Sequence, residues 1–282
     1  MFSTVHLTSA HPRFDTRIFI KECTSLANHG YDVSLIVADG KGHEVKSNVA
    51  IYDVGASKGR FDRMRNAPMR VLAKAIDLDA DLYHLHDPEL IPIGIKLKKL
   101  GKVVIFDAHE DLPKQILGKP YLYKPIRFVL SKILVWYECW ACRKFDVIIT
   151  ATPYIRDKFF KINPNTLDVN NFPLLGELSN TSEWAQKEDE VAYIGGISKI
   201  RGVEEIVAAL KYTQGVRLNL VGQFSEKAVE IKVKNQPTWS KVNELGFLNR
   251  DQVNDVLARS KAGVVTFYPL PNHIDAQPNK MF

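Results

Sequence analysis

The chain has 282 residues and a mass of 32.0 kDa, which at about 150 residues per domain implies two domains. Its 45% apolar and 25% charged residues exclude wholesale disorder, no uninterrupted apolar run approaches the ~20 residues of a membrane-spanning helix, and three cysteines do not make a disulfide framework. The net charge of +6 lies wholly in residues 1–172, so an anionic partner competes with a merely solvated basic face as its explanation.

The start, Met1-Phe2-Ser3-Thr4-Val5-His6, has neither the basic stretch nor the apolar core of a signal peptide, so a cytosolic location is expected, free in solution or at a membrane surface. Short apolar runs then alternate with helical patterns. Strands are expected at Ser3–Leu7, Asp32–Val37, Val49–Val54, Leu82–His86, Val103–Phe106 and Val147–Thr150. Between them lie helical patterns such as Thr16–His29 and Pro88–Leu100, stopped by Gly30 and Gly101. This alternation implies an α/β fold with a parallel sheet covered on both faces. Asn170-Asn171-Phe172-Pro173 and the polar stretch after it break the rhythm, which places the domains at 1–172 and 173–282. The alternation resumes with strands at Val191–Ile194, Arg217–Val221, Val242–Phe247 and Gly263–Phe267, and helices at Gly202–Tyr212, Ser225–Lys234 and Arg250–Ser260. In this shorter second half, Val264 and Val265 are expected in a strand with one poorly covered face.

Several constellations could carry chemistry. In Tyr193–Gly202 a strand ends at Gly195-Gly196 and a helix follows Gly202. Such a turn lets a phosphate approach the backbone, with Arg201 as a fixed positive fork. The Gly-Lys-Ser/Thr ending of a nucleotide P-loop is absent. Asp107-Ala108-His109-Glu110-Asp111 follows a strand, where parallel sheets hold ligands. In His84-Leu85-His86-Asp87-Pro88, the two histidines share a face and could ligate a metal, while Asp87 before Pro88 reads better as a helix cap. His11-Pro12-Arg13-Phe14-Asp15-Thr16-Arg17 forms an anion-friendly loop at a helix start, with Asp15 as the candidate cap.

Lys124–Lys144 carries apolar residues at helical spacing, flanked by Lys124, Arg127, Lys132, Arg143 and Lys144. Core packing is the plainer reading, and an interfacial helix on anionic lipid the sharper one. Lys58, Arg60, Arg63, Arg65, Arg70 and Lys74 form a second basic stretch. Cys139 and Cys142 sit inside the helical pattern, where packing is expected rather than redox or metal chemistry. No nucleophile elbow is visible, and base-stacking aromatics are not evident, so a nucleic acid is not expected as partner.

Taken in order, His11–Phe19, Asp107–Glu110, Asn171-Phe172-Pro173, Tyr193–Gly202 and Pro278-Asn279-Lys280-Met281-Phe282 resemble the family 4 glycosyltransferases, most closely the branch that builds bacterial surface polysaccharides such as O-antigen, lipopolysaccharide or capsule. The resemblance implies a GT-B fold of two Rossmann-like domains, the second incomplete. It implies transfer of a sugar, with retention, from a UDP or GDP nucleotide sugar to a glycan or lipid-diphosphate acceptor, without metal or cofactor, at the inner face of the cytoplasmic membrane. By position, His109 and Asp275 become the catalytic candidates. Gly195, Gly196, Arg201, Asn279 and Lys280 become donor-binding, and Arg13, Asp15, Arg17 and Glu110 acceptor-side. Gly196 stands where many members carry arginine. The second acidic position of the family's donor motif would be residue 283, so the resemblance implies a chain cut within that motif, with activity in question. Two rival readings accompany it: a metal-dependent hydrolase using His84, His86, Asp87 and His109, and a non-catalytic fragment.

Overall fold

The computed structural model describes residues 2–119, 122–174, 182–271 and 273–278. The chain divides into two compact units, Met1–Asn171 and Phe172–Phe282. In the first, β1 (Ser3–Leu7) leads to a π-helical segment (Thr16–Cys23) that runs into α1 (Thr24–Asn28). Then come β2 (Asp32–Val37), β3 (Glu44–Lys46), β4 (Val49–Asp53), α2 (Arg60–Leu78), β5 (Leu82–Leu85) and, after a 3-10 turn, α3 (Ile91–Lys99). The unit continues through β6 (Val103–Ala108), α4 (Leu112–Leu117), α5 (Lys124–Cys142), β7 (Val147–Thr150), α6 (Pro153–Phe160) and β8 (Thr166–Asp168).

Among the described residues these strands form one sheet in the order β3-β4-β2-β1-β5-β6-β7-β8, parallel except for β3. The six expected strands are present, with ends that move by two residues at most. The three-residue β3 and β8 are too short to show a period, and α2 was legible only as a basic stretch.

Strand alternation sorts the two faces. Val5 and Leu7 join Tyr83, Leu85, Val104 and Phe106 in the larger core, closed by residues of α2, α3 and α6. On the other face Val33, Leu35, Val49 and Ile51 pack against Ile18, Phe19 and Cys23 of the π-helical segment. His6 belongs to this second face, level with Leu35 on one side and His84 on the other. The face is therefore apolar at β2 and β4, while His6 on β1, His84 on β5 and Asp107 near the end of β6 bring polar groups to it, with Ile105 level with His84.

The second unit runs β9 (Glu188–Ile194), α7 (Val203–Ala209), β10 (Arg217–Val221), α8 (Lys227–Lys234), β11 (Val242–Gly246), α9 (Arg250–Arg259) and β12 (Ser260–Gly263). Among the described residues its sheet is parallel in the order β11-β10-β9-β12. Tyr193, Leu218 and Leu220 pack on α7 and α8, and Ala192 and Val221 on α9. The last strand starts three residues before its expected position, although Val264 still donates to Ala192 O. Beside Val264, with Val191, Ile206 and Leu210, lies an apolar cavity of about 500 Å³.

Candidate functional site

The polar part of the first sheet lies toward the carboxyl ends of β1, β5 and β6, where parallel sheets present their ligand sites. Asp107, the penultimate residue of β6, is fully buried and held by a fork from Arg17: Nε to Oδ2 at 2.9 Å and Nη2 to Oδ1 at 3.0 Å. Arg17 Nη1 donates to Val169 O at 2.7 Å. His109 Nε2 faces Asp107 Oδ2 at 3.4 Å, which leaves Nδ1 for a ligand. Burial pushes the His109 imidazole down to about 4, so it is neutral at pH 7. Asp107 pays the opposite cost: burial opposes its ionisation, but His109, His86 and Arg17 hold it well below the usual carboxylate range.

His11 stacks on His109 with ring centroids 5.5 Å apart. Its Nδ1 lies 3.5 Å from Asp15 and its Nε2 3.3 Å from Asp87. The Asp15 contact, against burial, raises its pKa. A cavity of about 260 Å³ opens here, lined by His11, His86, Asp87, Asp107, His109 and Glu110. The resulting arrangement is a small pocket with a neutral, carboxylate-oriented imidazole next to a more basic one.

Other expectations change once partners are visible. Arg13 is buried and spent on Asp39, with Nε–Oδ2 at 2.8 Å and Nη2–Oδ1 at 2.6 Å, and on Glu44. Arg17 is spent on Asp107. The anion-friendly loop is thus internally neutralised and holds neither arginine out to an acceptor. Asp15 does cap, accepting from the amides of Arg17 and Ile18 at 2.8 and 3.0 Å. Burial would raise its pKa, yet His11 and those amides hold it at about 2. Asp87 neither caps its own turn nor stands free as a metal ligand: it accepts from Thr8 Oγ1 at 2.8 Å and from the amide of Ser9 at 2.6 Å. Glu110 is tied to Gln115.

The helix expected over 16–29 opens as a π-helix, with the amide of Ile20 bonded to Asp15 O, five residues back. Arg17 and Glu22 are also five apart, which an α-helix would separate by about 140°. Here Arg17 Nε lies 3.1 Å from Glu22 Oε1, and the Glu22 carboxylate meets the histidines beneath. Sequence reasoning missed Glu22 altogether. Burial, with the Asp107 charge second, pushes its carboxyl well up, and burial followed by repulsion from His86 pushes His6 and His84 well down.

In the second unit Gly195 follows β9 with φ +126°, a conformation that side chains rarely adopt. The Arg201 guanidinium lies over Gly195-Gly196, with Nη1 3.4 Å from Gly196 O, and stacks on Phe267 at 5.6 Å. The amides of Gly195 and Ile197 are already donated to Val221 O and Gln223 O, and Glu204 and Glu205 occupy the start of α7. The charged group at this turn is therefore Arg201, while two of the turn's backbone amides are already spent within the sheet. Gly222 was not anticipated: an added Cβ would sit 2.0 Å from Gly195 O. Asp275 lies half-exposed in the turn-rich segment after Tyr268, while Asn279 and Lys280 lie outside the described residues.

Core packing fails for most of α5. Ser131, Glu138, Ala141 and Cys142 are buried, but Ile126, Phe128, Val129, Ile133 and Trp136 are half or more exposed. Cys142 is a buried thiol pushed up by burial, and Cys139 is half-buried. Among the described residues no helix is long and apolar enough to cross a membrane.

The sequence profile of Glycosyltransferase Family 4 matches residues 17–169, more than half of the chain. No curated protein matches the sequence. Solved structures of similar fold include sucrose-phosphate synthase from Thermosynechococcus elongatus, at TM-score 0.70 and 13% identity, covering 97% of this chain and 78% of that one. A trehalose-6-phosphate structure from E. coli bound with UDP-2-fluoro glucose gives TM-score 0.68 and 11% identity over 94% and 78%. Anabaena HepE in complex with UDP and glucose gives 0.68 and 13% over 96% and 76%.

Proposed function

The chain belongs to Glycosyltransferase Family 4, and from that premise we propose that it moves a sugar, with retention at the anomeric carbon, from a UDP or GDP nucleotide sugar to a growing, lipid-linked surface polysaccharide. The observation that carries the donor half is Arg201, laid across Gly195-Gly196 with no carboxylate partner among the described residues. Sugar transfer requires the departing diphosphate to be stabilised as its charge develops, and a preorganised guanidinium supplies that. Lys280 and Asn279 are assigned the same role from sequence alone. In the first unit the neutral His109, oriented by Asp107, is the group to hydrogen-bond the reacting sugar, and Asp275 is kept as the acidic residue of the second.

The lipid-linked acceptor is supported by α5. Its exposed Phe128, Val129, Ile133, Trp136 and Trp140 stand among Lys124, Lys132 and Lys144, and Lys144 lies 3.9 Å over the Trp140 ring. Apolar and aromatic residues mixed with cations suit the inner, anionic face of a membrane.

A thermal melt after chelation, with UDP or GDP, tests the donor half. A ligand at 100 times its dissociation constant stabilises by about 2.7 kcal/mol. The shift is expected with one nucleotide and is expected to vanish in Arg201→Met. A cooperative melt that neither nucleotide moves would overturn the reading in favour of a non-catalytic fold. Co-sedimentation with phosphatidylglycerol vesicles at low salt, absent with phosphatidylcholine, tests the membrane half.

A further inference from the structure

Beneath the His109 pocket lies a second group that sugar transfer does not use. His6 on β1 is level with His84 on β5, and His86, two residues on, shares their face and continues the ladder through its amide to Leu7 O. Glu22 comes down on the three from the π-helical segment. One donor atom from each of His6, Glu22, His84 and His86 lies within 4.8 Å of the others, and His6 Nδ1, His84 Nδ1 and His86 Nε2 all face Glu22 Oε2. The separations are 2.9 Å for His6 to His86, and 3.9, 4.0 and 3.8 Å from Glu22 to His6, His84 and His86.

We propose that His6, Glu22, His84 and His86 bind a zinc ion in a closed tetrahedral site that fastens the π-helical segment to the sheet. Zinc bonds of about 2.0–2.1 Å place tetrahedral donors about 3.3–3.4 Å apart, so the His6–His86 separation of 2.9 Å would open and the Glu22 separations of 3.9, 4.0 and 3.8 Å would close, each by about half an ångström. Three imidazoles and one carboxylate are ligand types this ion takes. Both Glu22 oxygens are buried, and while Oε1 is ion-paired with Arg17 Nε at 3.1 Å, Oε2, the oxygen turned to the histidines, makes no hydrogen bond. The outer groups fit as well. If His84 binds through Nδ1 and His86 through Nε2, their other ring nitrogens are buried, otherwise unpartnered, and face Asp107 Oδ2 at 3.9 and 3.6 Å. A carboxylate behind a ligating histidine is the usual device for fixing ring orientation and raising ligand basicity.

Arg17 does not exclude the ion. Its fork is spent on Asp107 and its Nε also lies 3.1 Å from Glu22 Oε1, which leaves Oε2 to the ion, and the ion's charge would be set against the two carboxylates, Glu22 and Asp107, beside one guanidinium. The second possible group, His86, Asp107 and His109, is the weaker rival, because Arg17 already occupies both oxygens of Asp107. Four protein donors leave no open position, so the ion would hold structure rather than carry a reaction. It would do so next to Asp107, and through Asp107 it would set the orientation of His109.

The test uses the full chain after chelation and titrates it with Co²⁺ as a spectroscopic probe, then with Zn²⁺. The expected result is one equivalent of Co²⁺ with the intense visible bands of a four-coordinate site, displaced by Zn²⁺, and a melting temperature raised by Zn²⁺. Glu22→Gln, which keeps the side-chain size, and His84→Gln are each expected to weaken binding at least tenfold, with His109→Gln binding as before. A Co²⁺ spectrum that stays that of the six-coordinate aqua ion overturns the proposal without recourse to any variant. Binding that survives Glu22→Gln and is lost in His109→Gln overturns it in favour of the rival group. The readout is independent of nucleotide binding, so it can fail or succeed apart from the glycosyltransferase reading.

Discussion

Replacing Asp107 by Asn tests whether the buried Arg17–Asp107 pair organises the first unit. Asn keeps the shape but presents one acceptor oxygen where Asp107 presents two, and it removes the charge. Arg17 is then left buried, with only Val169 O at 2.7 Å and Glu22 Oε1 at 3.1 Å. Removing one partner of a buried ion pair costs about 3–5 kcal/mol, because the remaining charge is uncompensated. Glu22 takes over part of the load, so the lower end, about 3 kcal/mol, is expected. For a unit of this size that lowers the melting temperature by about 6–12 °C. The measurement is urea unfolding in the presence of chelator, with hydrogen exchange over Val103–Ala108 assigning the loss to this unit. The Arg17→Met, Asp107→Leu double variant, which buries no charge, is expected to be more stable than either single variant. Single-variant losses below about 0.5 kcal/mol, or losses that simply add in the double variant, would refute the reasoning.

Gly222→Ala would place a methyl group 2.0 Å from the Gly195 carbonyl at φ +137°, so the second unit is expected to lose several kcal/mol, of order 3, in urea unfolding. Gly196→Ala, whose Cβ meets nothing closer than Arg201 Nη1 at 3.6 Å, is expected to leave stability unchanged. Lys158 joins buried Glu138 of α5 at 2.8 Å to Asp111 at 2.9 Å, and Lys158→Met is expected to cost about 3 kcal/mol and to detach α5, seen as faster hydrogen exchange there. The His11–Asp15 pair has two signs. His11 has a raised pKa, so its stabilisation is complete below the unfolded value near 6.5 and fades as pH rises through the folded value. Asp15, held at about 2, stabilises above about 3.8 and loses this as pH falls toward 2. A histidine titration by NMR that placed His11 below about 6.5 would contradict the geometry.

The strands were legible because an apolar run bounded by glycine or a polar turn is a local signal, and β1, β2, β6 and β7 carry it whole. The π-helical segment was not, since its five-residue spacing of Arg17 and Glu22 looks like noise against a 3.6-residue period. The paired histidines at 84 and 86 were visible as a same-face pair, but the other two proposed donors, His6 and Glu22, come from chain positions more than 60 residues away that only the strand order brings together. The helix at 124–142 was legible as a helix and misjudged in its packing, because its apolar residues run nearly all round and periodicity does not say which side finds a core. Charge was the hardest property to read. A sequence shows an arginine without its partner, so Arg13, Arg17 and Arg201 all looked equally ready for an anion. The folded chain subtracts the first two, one against Asp39 and Glu44 and the other against Asp107 ninety residues away, and leaves Arg201 over its two glycines. A positive residue near a turn counts toward ligand binding only after its internal partners are accounted for. The net charge of +6 overstates what the first unit can offer an anion at its pocket, and on α2 Arg63, Arg70 and Lys74 are likewise spent on Glu89, Asp62 and Asp77, which leaves exposed cations such as Lys124 and Lys132 of α5.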